Sequence, residues 1–239
     1  YPAMDYELLT DTMRAGMTFA EYIDIFDTLS LDMYYRTDTH WRQETLGETA
    51  AAIAAAMGAS LPAEYETVDV SSAFRGVYAG QYALPVEPDA LRYLTNGTIA
   101  SLRVYDYETG AEIPVYDLTL AAGRDGYEMF LGGTKALLTI ENPHAETDRE
   151  LVIFRDSFGS SIAPLLAQGY AKVTVVDIRF RNNAKNYFFD PGELTIATGD
   201  HVIMDTSRGV EYGVCAAGNH EVPASEIVPP LRKVLRLAT

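Results

Sequence analysis

A chain of 239 residues with 34 acidic and 18 basic side chains carries a formal charge of −16, which argues against nucleic acid or anionic lipid as its partner. Its 48% hydrophobic content is ordinary for a globular domain, and a chain of this length buries roughly three quarters of its unfolded surface. No apolar run approaches the ~20 residues of a membrane span, and the single Cys215 excludes an intramolecular disulfide and a cysteine-rich metal site.

In chain order, residues 1–18 read as helix and loop, and 22–26 alternate as a strand does. The alanine-rich stretch 44–57 predicts a stable helix closed by Gly58. Between 61 and 133 Gly, Pro, Tyr and Thr rise and short alternating runs replace helical spacing, with a hairpin predicted about Thr109-Gly110. We read 61–133 as a β-rich insertion lying over one core, so that residues 1–239 form a single domain. Its tyrosines are candidates for the wall of a substrate groove, although exposed strand faces use Tyr as often. Apolar strands follow at 135–141, 151–154, 172–177 and 201–205. Strand, helix, strand at this spacing predicts parallel crossovers and an α/β sandwich. Sites in such sheets lie beyond the carboxyl ends of strands, where Ser157, Asp177, Arg179 and 205–207 fall.

The stretch Leu151-Val152-Ile153-Phe154-Arg155-Asp156-Ser157-Phe158-Gly159-Ser160-Ser161 passes from strand to turn to helix at Asp156-Ser157. A serine there projects toward a helix N-terminus, whose unpaired N–H groups and dipole favour developing negative charge. It needs a base to become a nucleophile, and the chain offers His40, His144, His201 and His220. His144 lies in a Pro/Glu-rich turn and His220 in a Gly/Asn loop, so both read as solvated; His201 opens a strand and reads as a cap. His40 stands at the entry to the alanine-rich helix with Asp38 two residues away, as a carboxylate that orients an imidazole requires. The bland alternatives are a helix cap for Ser157, a merely packed His40 beside Trp41, a turn-forming Asp156, and salt bridges for Arg36 and Arg179. Asp38 and His40 supply two metal ligands without a third and fourth, so no metal and no cofactor are expected.

The segment Tyr34-Tyr35-Arg36-Thr37-Asp38-Thr39-His40-Trp41, followed by a Gly/Ala helix, resembles the signature of the DHHW proteins. Its Asp-Thr-His-Trp form is similar to that of the alginate acetyltransferases AlgX and AlgJ. Arg155-Asp156-Ser157-Phe158-Gly159 resembles their nucleophile segment, and Val176-Asp177-Ile178-Arg179 a further motif of the group. These families are SGNH-hydrolase-like, with the triad Asp and His ahead of the Ser. The resemblance implies Ser157 as nucleophile, His40 as general base and Asp38 as its orienter. It implies a three-layer α/β/α sandwich with a mainly parallel sheet. It also implies serine-dependent acyl transfer at the cell envelope by an O-acetyltransferase or acetylesterase acting on a surface polysaccharide, with a carbohydrate or acetylated glycan as substrate and a membrane-bound acyl donor as partner. The placement implied is extracytoplasmic, secreted or anchored, and the opening at Tyr1-Pro2 leads us to expect an upstream anchoring segment.

Two positions depart from the standard SGNH pattern. Arg155 stands where a Gly would, and no Gly-x-Asn-Asp block supplies an oxyanion-hole Asn. The expected donors are therefore the N–H of Ser157 with that of Phe158 or Gly159, with Asn142 or Arg179 nearby. The competing readings are a non-catalytic glycan-binding module with an SGNH-like core, which expects Ser157 buried or beyond reach of His40, and a structural envelope-assembly partner, which expects an exposed apolar patch and no pocket at Ser157.

Overall fold

The computed structural model describes residues 4–82, 86–177, 189–206, 209–220 and 231–238, and its contacts divide the chain into two compact units, Tyr1–Arg179 and Phe180–Thr239.

The first unit opens on α1 (Tyr6–Gly16), started by the Asp5 carboxylate, which accepts the Leu8 N–H at 3.0 Å; none of its residues is buried. The strand expected at 22–26 is absent, and a 3-10 turn stands at Phe26–Thr28 instead. The cause is local: Asp24 Oδ1 accepts the Phe26 N–H at 3.1 Å and turns the backbone before a strand can form. α2 (Gly47–Ala56) follows a further 3-10 turn and ends as expected, with Gly58 at φ 71°. There the Gly58 and Ala59 N–H groups bond to the Ala55 and Ala54 carbonyls at 2.9 and 2.8 Å.

β1 (Glu66–Phe74) and β2 (Asp89–Thr95) pair antiparallel as a small sheet, with α3 (Val77–Tyr82) between them in sequence. α4 (Gly97–Ser101) is capped by Asn96, whose Oδ1 accepts the Ile99 N–H at 3.0 Å. The predicted hairpin then forms between β3 (Arg103–Asp106) and β4 (Ala111–Ile113), with Gly110 in the left-handed region at φ 69°.

β5 (Leu137–Glu141), β6 (Glu150–Arg155) and β7 (Lys172–Asp177) complete a five-stranded sheet in the order β4-β3-β5-β7-β6. The hairpin placed by sequence in the insertion is thus two strands of the main sheet. Only β6 and β7, joined through α5 (Phe158–Ala167), run parallel; β5 pairs antiparallel with both β7 and β3. The expected mainly parallel sandwich is corrected to a mixed, largely antiparallel α/β arrangement with few helices. Inward positions alternate as a pleated strand requires, so Val104, Leu138, Ile140, Val173 and Val175 are all essentially inaccessible. They share one core with Ala50 and Ala54 of α2 and with Ile162, Leu165 and Leu166 of α5. Each buried Val, Leu or Ile side chain contributes about 1.5–3 kcal/mol. That core fixes α5, and with it Ser157, against the sheet.

The second unit holds β8 (His201–Thr206), β9 (Gly209–Val214) and β10 (Val234–Leu237) as an antiparallel sheet in the order β10-β8-β9. The strand at 201–205 was expected to extend the parallel sheet. It belongs to this separate one, so 205 and 206 are not strand ends of the sheet that leads into Ser157. Ser207 lies outside the described residues.

Candidate active site

Ser157 leaves the carboxyl end of β6 through a turn built by Asp156, whose Oδ1 accepts the Phe158 N–H at 3.0 Å and whose carbonyl accepts the Gly159 N–H at 3.1 Å. Asp156 is therefore the turn-former. Ser157 precedes α5 at the N-cap position and is exposed, but its side chain makes no capping bond. Its Oγ lies instead 2.7 Å from His40 Nε2. The helix-cap alternative would have used that oxygen on the N–H groups of α5.

His40 is held on its other edge by Asp38, with Oδ1 2.5 Å from Nδ1 and also accepting the His40 backbone N–H at 3.0 Å. Asp38 Oδ2 accepts the Val77 N–H at 2.9 Å. Burial works against the Asp38 anion, but the His40 side chain and the Val77 and His40 N–H groups outweigh it and hold the carboxyl below its ordinary range. An ionised Asp38 fixes the tautomer with the proton on Nδ1, which leaves Nε2 to accept from Ser157.

The segment carrying Asp38 and His40 is itself clamped. Tyr34 and Trp41 form an antiparallel bridge, and the Tyr35 N–H bonds to the His40 carbonyl at 3.1 Å. Asp89, the first residue of β2, accepts the Thr37 N–H and hydroxyl at 2.8 and 2.7 Å, and the Thr37 hydroxyl accepts the Gly76 N–H at 3.1 Å. The region between 61 and 133 thus holds the segment that carries Asp38 and His40.

Arg155, at the departed Gly position, is buried and structural. It donates to Ser160 Oγ at 2.7 Å and to the Gly133 carbonyl at 3.3 Å, and lies 3.9 Å from Asp177. Burial lowers its guanidinium pKa, partly offset by Asp177 and Asp156. Gly159 has no Cβ because one would meet the Arg155 Cβ at 2.4 Å.

The expected oxyanion set is only partly brought together. Phe158 and Gly159 follow Ser157, yet their N–H groups already bond to Asp156. Asn142 must be removed from the site. It follows β5 at the edge where Glu141 pairs with Lys172, the opposite end of the sheet from Arg155 and Asp177. There its amide caps the end of α5, donating to the Gln168 carbonyl at 3.3 Å. Arg179 lies outside the described residues. His144, His201 and His220 are exposed; His201 Nδ1 pairs with the Tyr212 hydroxyl, and His220 Nδ1 donates to the Gly218 carbonyl at 2.7 Å.

Sequence reasoning missed two residues that frame the base. The Tyr127 ring stacks on the His40 imidazole with centroids 3.8 Å apart and planes 9° from parallel. Ser161, fully buried on α5, accepts from Tyr127 OH at 2.7 Å and from Trp41 Nε1 at 2.8 Å. Ser161 carried a signal, being a polar residue one helical turn after Ser157. Tyr127 carried none beyond its type.

No family model matches the chain. Over 64 residues it is 44% identical to the Stage 0 sporulation protein YaaT of Bacillus subtilis (strain 168), which covers 27% of this chain and 23% of that protein. Among solved structures it is similar to a DHHW family protein from Eubacterium siraeum, with a TM-score of 0.51 and 22% identity over 65% of this chain and 53% of that one. It is also similar to Bacillus cereus PatB1, solved with a sulfonyl adduct, with a TM-score of 0.48 and 21% identity over 64% of this chain and 54% of that one. The chain spans about half the length of these structures, and its likeness to the DHHW family protein is one of fold.

Proposed function

We propose that this chain performs serine-dependent acyl transfer, with Ser157 as nucleophile, His40 as general base and Asp38 as its orienter. The observation that carries the reading is the continuous relay from Asp38 Oδ1 through His40 to Ser157 Oγ, at 2.5 and 2.7 Å, ending on an exposed serine. A packed or capping serine has no use for that relay, and a non-catalytic module gives no reason to orient an imidazole toward it.

In the first half-reaction His40 Nε2 takes the Ser157 proton as Oγ bonds to the carbonyl carbon of an acetyl ester. The tetrahedral oxyanion forms beside the N-terminus of α5, where the helix dipole favours negative charge. Collapse breaks the bond to the leaving alcohol, which receives the proton from His40, and leaves acetyl-Ser157. Water or a sugar hydroxyl then gives its proton to His40 and attacks the acetyl carbon; the bond to Ser157 Oγ breaks, and Oγ takes the proton back from His40. Which acceptor arrives decides between esterase and transferase.

The finer proposal is an O-acetyltransferase or acetylesterase acting on a surface polysaccharide outside the cytoplasm, with a membrane-bound acyl donor as partner and no nucleic acid. The Asp38-Thr39-His40-Trp41 form and the DHHW fold likeness support it, and the first is the ground for the relation to AlgX and AlgJ. No helix among the described residues is long and apolar enough to cross a membrane.

Hydrolysis of p-nitrophenyl acetate tests the chemistry. The reading expects turnover by the wild type that Ser157→Ala and His40→Ala each abolish. Equal rates in all three proteins would sink it.

A further inference from the structure

The base is enclosed more fully than its two hydrogen bonds require. Tyr127 covers one face of the imidazole in near-parallel contact, and Phe158 lies 4.9 Å away at 50°. Tyr127 comes from a 3-10 helix at Gly126–Met129, is 3% exposed, and has its backbone N–H fixed on Asp125 Oδ1 at 3.1 Å. Its hydroxyl is tied to α5 through Ser161 Oγ, which also accepts from Trp41 and donates to the Phe158 carbonyl at 3.2 Å. One buried hydroxyl on the nucleophile's helix therefore sets the position of a ring that lies on the base.

We propose that Tyr127 is a positioning residue for the general base, its ring fixing the His40 plane and stabilising the imidazolium formed when Ser157 gives up its proton. The inference rests on the acyl-transfer reading. The face of an aromatic ring is electron-rich, so a cation developing against it is attracted while a neutral imidazole is merely packed. The interaction is therefore stronger when the proton has moved, which is the condition for lowering a barrier. Burial holds the phenol well above its ordinary range, so the stacked ring stays neutral.

Asp38 on its own segment faces the imidazole, and the ionisable groups whose charges interact with the Tyr127 ring are Asp38, Asp156 at the nucleophile turn, Arg155 of β6 and the buried Tyr35 hydroxyl. Tyr127→Phe and an aliphatic variant both remove the Tyr127 hydroxyl, so the difference between those two reports the ring face.

The test is a titration of His40 in the full chain by ¹⁵N-histidine NMR, its signal assigned by loss in His40→Ala. Wild type and Tyr127→Phe should titrate alike, because Phe keeps the aromatic face. Tyr127→Leu should weaken proton binding at His40 by about three- to tenfold, moving its midpoint to lower pH. Tyr127→Met, flexible and of similar reach, serves if the Leu variant does not fold by circular dichroism. An unchanged or raised midpoint in the aliphatic variants would overturn the inference, as would a shift in Tyr127→Phe equal to theirs. The fluorophosphonate labelling rate should follow the same order, with the aliphatic variants about tenfold slower than wild type. If the wild type labels no faster than Ser157→Ala, the acyl-transfer reading fails, while the titration still decides the role of Tyr127.

Discussion

Gly76 packs against Asp38 so closely that a Cβ placed on it would stand 2.2 Å from the carboxylate Oδ2. Asp38 has no room to yield, because its two oxygens are held by His40 and by the Val77 N–H. Gly76→Ala should therefore push Asp38 off the imidazole and cut ester hydrolysis by roughly 10²-fold, the scale of a misplaced catalytic geometry. Asp38→Asn, which offers the wrong partner to Nδ1, should cost on the order of 10⁴. Steady-state kinetics on folded variants checks both, and a Gly76→Ala enzyme with wild-type kcat would show that Asp38 does not set the base.

Acid should dismantle the site from its carboxylates. Asp38 and Asp89 are both desolvated, yet bonds from His40 and Val77 in the one case and from Thr37 and Arg36 in the other hold each below the ordinary carboxylate range. A depressed folded pKa contributes stability in full above the unfolded value of about 4, lost as pH falls through the folded one. Asp89→Asn should thus lower the melting temperature at pH 7 and lower it progressively less toward pH 2. A difference independent of pH would contradict the assignment.

Glu44 should behave in the opposite sense. Both its carboxylate oxygens are buried without a hydrogen-bond partner among the described residues, and burial raises its pKa despite Arg42 at 3.5 Å and Arg92 at 4.0 Å. For a raised carboxylate, stability is lost as pH climbs from the unfolded value through the folded one. The melting temperature of Glu44→Gln relative to wild type should therefore rise between pH 4 and pH 7.5. Thermal melts at the two pH values decide it, and a fall would reverse the sign of the argument.

The meeting of Asp38, His40 and Ser157 was legible because each residue has a local cause. Apolar strand, Asp-Ser turn and apolar helix identify Ser157, and Asp38 reaches His40 within one short segment. Strand direction was not legible, since the apolar runs at β5 and β7 do not state which way their partner runs. That error also misplaced Asn142: with β5 antiparallel to β7, its carboxyl end lies away from Ser157 and not beside it. The 22–26 strand failed on one side chain, Asp24, whose bond to the Phe26 N–H outweighs the alternation of its neighbours. Tyr127 reaches His40 only through tertiary packing, so neither spacing nor periodicity along the chain marks it.

The most direct test of the central claim is fluorophosphonate labelling of the full chain, read by mass spectrometry. The account predicts one adduct on Ser157 in the wild type, none in Ser157→Ala, and a rate at least about 10²-fold lower in His40→Ala, the upper contribution of a general base being about 10⁴. A folded wild type that takes up the probe no faster than Ser157→Ala would contradict it.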